Sequence, residues 1–97
     1  MVEKLQPGSL HGRVTKSLRV SDFILTEASY DARSRLPPHA HERSYFCFVL
    51  QGVYTERYGR RETLCKPSTV TFRAPDETHE AVLHDVDGRV FVVAAPG

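Results

Sequence analysis

The sequence has no tryptophan, one methionine and two cysteines in 97 residues. Two cysteines, Cys47 and Cys65, make no disulfide framework, so a chain this short must rest on one modest apolar core. Cys47 lies inside an apolar run and reads as a buried, reduced thiol. An excess of either charge is also missing: 13 basic against 12 acidic residues leave a formal net charge of +1. Such a balance gives no broad basic field, so this chain alone is expected to bind no nucleic acid directly. No apolar run approaches the roughly 18 residues of a membrane span. No basic, apolar, small-residue leader opens the chain, and a soluble, cytoplasmic protein without a membrane partner is expected. Helical periodicity is absent too, since no window shows a capped apolar repeat of about 3.6 residues.

What is present is a series of short extended segments between turn signals. Residues 1–8 (MVEKLQPG) read as a loose start. Ser9 to Val14 and Ser17 to Val20 are two short strand candidates split at Thr15 and Lys16, and Asp22 to Tyr30 is a longer one. Its residues Phe23, Leu25 and Glu27 share one face, and Ile24, Thr26 and Ala28 the other. Asp31 to Pro38 (DARSRLPP) is expected to be a connecting loop stiffened by its two prolines. Tyr45 to Leu50 (YFCFVL) is the strongest strand signal in the chain. Val53 to Tyr58, Arg60 to Cys65, Thr69 to Arg73, His79 to His84 and Arg89 to Ala95 follow, separated by turns at Gly59, Lys66–Ser68, Ala74–Glu77 and Asp85–Gly88. Eight or nine strands at regular spacing predict an all-β sandwich or barrel, a single domain spanning residues 1–97.

Chemistry concentrates in Pro37 to Gly52 (PPHAHERSYFCFVLQG). In an extended chain His39, His41 and Tyr45 fall on one face, and His79 stands on a later strand after a Pro-Asp turn. If the sheet curls so that these strands oppose, three imidazoles converge, the ligand set of an open-sided divalent metal site. The bland alternative is three hydrogen-bonded pocket or surface histidines. Tyr45 is a candidate fourth ligand, or a pocket residue that offers its hydroxyl; phenolate ligation is costly because the phenol pKa lies near 10. Cys47 and Val49 share its parity and should line the pocket. Glu42, a candidate for proton transfer, points to the opposite face unless a bulge turns it inward. His84 has the wrong parity, and His11, among small polar residues, receives no role. Phe46, Phe48 and Leu50 face away and want cover from the amino-terminal strands or a second subunit, so a homodimer is expected. Arg57, Arg60 and Arg61 read as the solvated rim of a hairpin.

His39-Ala40-His41, three residues, Tyr45, six residues and Gly52 reproduce the spacing of the first cupin motif, residues 37–52. Ala74 to His79 occupies the place of the second, residues 74–79. The sequence thus resembles the cupin superfamily, which implies a small double-stranded β-helix, or jelly-roll barrel. Within it, HAHERSYFCFVLQG, YTERYGRRE and TVTFRAPDETHE are similar to the amino-terminal sensor (arm) domain of AraC-type transcription regulators, across about residues 25–92. Three departures stand out. Tyr45 replaces the acidic ligand of metalloenzyme cupins. Asp76 replaces the turn glycine, a change that a left-handed Asp tolerates. The paired helix-turn-helix motifs of the regulators do not follow before Gly97, so the chain is either a free-standing sensor-like domain or a fragment of something longer. The resemblance implies a module that binds a divalent transition metal (Zn, Fe, Mn or Ni), a small organic ligand, or both, with a regulatory role. Two other readings remain: a metal-dependent dioxygenase or isomerase built on the three histidines, and an interaction domain with a vestigial site.

Overall fold

In the computed structural model, which describes residues 2–6 and 10–96, the chain forms strands and no helix among the described residues. The strands are β1 (Glu3–Leu5), β2 (Arg13–Val20), β3 (Phe23–Tyr30), β4 (Arg35–His41), β5 (Tyr45–Gln51), β6 (Tyr54–Tyr58), β7 (Arg61–Cys65), β8 (Val70–Arg73), β9 (His79–Leu83) and β10 (Gly88–Ala94). They make two five-stranded sheets, in the orders β1-β4-β9-β6-β7 and β2-β3-β10-β5-β8. Every pairing is antiparallel except that of β1 with β4. The sheets face each other across one core, to which β3, β5 and β10 contribute Ala28, Cys47, Val49, Val90, Val92 and Ala94. Tyr54, Cys65, Ala81 and Leu83 come from the opposite sheet.

Alternation explains which side each strand buries. On β3 the buried pair is Thr26 and Ala28. On β5 Tyr45, Cys47 and Val49 are buried, while Phe46 and Leu50 are exposed and Phe48 is half-buried. The split expected at Thr15 and Lys16 is instead a register shift within one continuous β2, between Val14 and Lys16. A bulge absorbs the irregular residue without ending the strand. Ser9, at the start of the first strand expected there, lies outside the described residues, as do Met1, Pro7, Gly8 and Gly97.

Two expectations need correction. The stretch expected to be loose contains β1, which pairs in parallel with β4 so that Glu3 lies beside His39 and Leu5 beside His41. The connecting loop expected up to Pro38 ends earlier, because β4 already begins at Arg35 and carries both prolines. Pro37 and Pro38 fit there because the register with β9 shifts between Leu36 and His39; at a bulge the missing N–H leaves no ladder bond unmade.

Turn chemistry frames the two motifs. Gly52 ends β5 with φ 83°, and a Cβ on it would lie 2.6 Å from the carbonyl oxygen of Asp87, so only glycine fits. Asp76 has φ 67°, the left-handed conformation that its short polar side chain tolerates. Its N–H donates to the carbonyl of His41 at 3.0 Å, which ties the second motif to the first.

Candidate metal and ligand site

His39, His41 and His79 come together by a shorter route than strand opposition. β4 and β9 are hydrogen-bonded neighbours, with His39 directly opposite His79, and His41 follows two residues along on the same face. Sheet pleating alone therefore brings three imidazoles to one spot. All three are buried, and each offers a ring nitrogen such that these atoms lie within 4.8 Å of one another. The ring centroids of His39 and His79 are 4.3 Å apart, and those of His41 and His79 are 5.5 Å apart.

Second contacts orient these rings. Nδ1–H of His39 donates to the carbonyl of Pro37 at 2.8 Å, and Nδ1–H of His79 to the carbonyl of Glu77 at 3.2 Å. A carbonyl accepts only, so each contact fixes the tautomer and makes Nε2 the lone-pair nitrogen. The Tyr45 hydroxyl, reaching across from the other sheet, donates to Nε2 of His79 at 3.0 Å. Burial, above all, keeps the imidazoles neutral: the pKa of His39 is lowered to about 4 and that of His41 to about 3, with mutual repulsion adding to the effect. His79 is lowered too, again chiefly by burial. Burial pushes the Tyr45 phenol up, so it stands here as a neutral hydroxyl donor. This donor set fits a divalent transition metal, because neutral, oriented imidazoles need give up no proton to bind one.

The histidines close one end of a small cavity between the sheets. Leu36, Ala81, Leu83, Val90 and Val92 supply apolar walls, and Tyr30, Tyr45, Tyr54, Cys47 and Glu56 the polar ones. Cys47 thus lines the cavity, its Sγ 3.7 Å from the hydroxyl of Tyr54, and burial pushes its thiol up to about 12. Both cysteines are free. Val49 belongs to the core and does not line the cavity. Glu42 is exposed, and its N–H is held by the carbonyl of Leu5; no bulge turns its carboxylate into the cavity. His84 is exposed and meets Thr55 at 2.8 Å. Arg57 forms an ion pair with Glu62 across the β6–β7 hairpin, 2.8 Å apart, and Arg60 and Arg61 are exposed.

Two residues without an expected role stand at this site. His11 packs its ring edge against His39, with centroids 4.7 Å apart, and its Nε2 meets Glu3 of β1 at 3.0 Å. Glu56 on β6 is buried, lines the cavity and forms an ion pair with Arg73 of β8. Its place two residues before Tyr58, on a strand of clear alternation, marks it as inward-facing. A carboxylate at an inward position was the available signal.

The chain matches the AraC-like ligand binding domain over residues 20–94. It belongs to that family. No match emerged among curated protein sequences. Solved cupin structures share the fold. KdgF from a Halomonas species superposes with a TM-score of 0.74 at 21% identity, covering 84% of this chain and 76% of that one. An RmlC-like cupin protein from Desulfovibrio desulfuricans gives 0.69 at 24% identity, over 87% and 83% of the two chains. The DMSP lyase DddQ from Ruegeria pomeroyi gives 0.72 at 17% identity, over 77% of this chain and 39% of that one. At these identities the likeness concerns the fold alone.

Proposed function

We propose that this AraC-like domain is a sensor-type binding module, in which His39, His41 and His79 hold a divalent transition metal and the metal anchors a small organic ligand in the cavity beside it. The observation that carries this reading is the convergence of three buried, neutral imidazoles, two with fixed tautomers, at one end of a largely apolar cavity. A bound cation would supply Lewis acidity toward a ligand oxygen. The chain's own part is to orient the rings through Pro37 and Glu77, present the Tyr45 hydroxyl and exclude bulk water. Binding is favoured over turnover by the placement of the acids: Glu42 lies outside the cavity and Glu56 is tied to Arg73.

Elemental analysis of the untagged protein, beside a His39→Ala/His41→Ala double variant, tests the reading. Near-stoichiometric metal in the parent that is lost from the variant is expected. No retained metal after incubation with Zn, Fe, Mn and Ni salts would overturn it.

The module is further proposed to work as a homodimer. The outer face of the β2-β3-β10-β5-β8 sheet exposes Leu18, Val20, Phe46, Leu50, Val70 and Phe72. The aromatic pair Phe46 and Phe72 stands there with ring centroids 5.0 Å apart. Of the two covers the sequence allows, the strand β1 is committed to the other sheet, which leaves a second copy.

A further inference from the structure

The histidine end of the cavity accounts for a metal, and deeper along the same sheet stands a charged group with no role in that chemistry. Glu56 is 6% exposed and lines the cavity among Ala81, Leu83, Val90 and Val92. Along β6, Tyr58 pairs with His79 and Glu56 with Ala81. Glu56 therefore sits two residues deeper than the histidines, about 7 Å along the strand. Nη2 of Arg73 donates to its Oε1, and among the described residues no donor meets Oε2. Tyr54 and Cys47, which also line the cavity, are engaged with each other. Oε2 is not sealed off, since the buried polar atom without a partner here is Nε of Arg73. Oε2 faces the cavity, where a ligand donor can meet it.

We infer that the ligand carries a hydrogen-bond donor, a hydroxyl or an ammonium, on the end away from the metal, and that Glu56 Oε2 receives it. The cavity wall then reads both ends of a short molecule: a lone-pair end at the histidines and a donor end at β6. Arg73 neutralises the carboxylate without lining the cavity; its guanidinium lies 5.3 Å over the Tyr58 ring. The cavity is narrow and lined mostly by side chains of the two sheets, so it suits a short molecule. This inference rests on the metal-centred reading of the same cavity.

The test uses the nickel-loaded 97-residue chain and three matched three-carbon probes: propionate, 3-hydroxypropionate and β-alanine. Each offers the same carboxylate to the metal and differs at the far end. By titration calorimetry one or both donor-bearing probes should bind about tenfold or more tighter than propionate, the worth of one hydrogen bond to a charged group. Preference for the hydroxyl probe alone identifies an alcohol end, and for β-alanine alone an amine end. Glu56→Gln should reduce the preference. The Glu56→Met/Arg73→Met double variant, which leaves no unpaired buried charge, should abolish it with nickel content unchanged. Equal binding of all three probes, no binding of any, or a preference that survives in the folded double variant would overturn the inference. If the parent retains no nickel, the metal reading fails separately, and the same titrations on metal-free protein decide the role of Glu56 by the same criterion.

Discussion

The Glu56–Arg73 pair makes a sharp prediction about stability, independent of any ligand. Both partners are largely withdrawn from water, with side-chain exposures of 7% and 14%, and Arg73 Nε has no hydrogen-bond partner. Removing one partner strands a buried charge, whereas removing both and filling the space with apolar groups leaves none. Arg73→Met should therefore destabilise the fold by about 3 kcal/mol or more, or roughly 12–24 °C in Tm for a domain of this size. Glu56→Met/Arg73→Met should cost much less than the sum of the single changes. The pH dependence follows from the carboxyl. Burial raises the pKa of Glu56 and Arg73 draws it back, so without Arg73 the carboxyl rises further. A carboxyl raised on folding contributes stability below its unfolded pKa and loses it as the pH rises through the folded value. The penalty of Arg73→Met should thus be greatest at neutral pH and shrink in acid. Urea unfolding followed by circular dichroism at pH 7 and pH 5 measures both effects. A single variant within about 1 kcal/mol of the parent, or a double variant as costly as both singles together, would refute the reasoning.

Tyr45→Phe should strengthen metal binding by about fivefold in a competition titration, because the metal no longer has to displace a hydrogen bond worth about 1 kcal/mol from His79 Nε2; weaker binding would make Tyr45 a ligand. The metal-free protein should lose stability as the pH falls from 6.5 toward about 4, since His39 takes up its proton later in the fold than in the unfolded chain. His39→Phe should flatten that slope in urea midpoints, and an unchanged slope would contradict the neutral imidazole. Phe46→Glu/Phe72→Glu should convert a dimer to a folded monomer in light scattering at micromolar concentration, and a parent that is already monomeric would remove the dimer.

Much of this arrangement was legible because β-structure has a period of two. The faces of β3 and β5 follow from alternation alone, as do the shared face of His39 and His41 and the outward-facing Phe46 and Leu50. Tyr45 was expected on the histidines' face, but the chain changes sheet after β4 and Tyr45 meets them from the opposite sheet. The left-handed turn at Asp76 follows from the small set of residues that accept positive φ. Prolines misled in one respect: Pro37 and Pro38 read as the end of a loop, yet a bulge lets β4 run through them. Strand adjacency was not readable either, because local pattern carries no information on which strands pair. The convergence of His39 with His79 was thus expected from opposed strands, where the fold supplies it from hydrogen-bonded neighbours.

The same limit explains His11 and Glu56. His11 reaches the site only because the chain returns there after β1 has paired with β4, a long-range contact that composition around residue 11 cannot signal. Glu56 was visible as an acid at an inward position of an alternating strand, but nothing local to β6 shows that Arg73, from a strand of the other sheet, pairs with it. Arg73 itself ends β8 in the other sheet, so the pair bridges the two sheets beside the cavity. That bridge joins the ligand wall to the turn that leads into His79: Arg73 is followed directly by Ala74, whose N–H donates to the Glu77 carboxylate at 2.8 Å, and Glu77 holds the His79 ring through its carbonyl. In the proposed reading, a ligand that draws on Glu56 would act on the same short segment that orients the His79 ring.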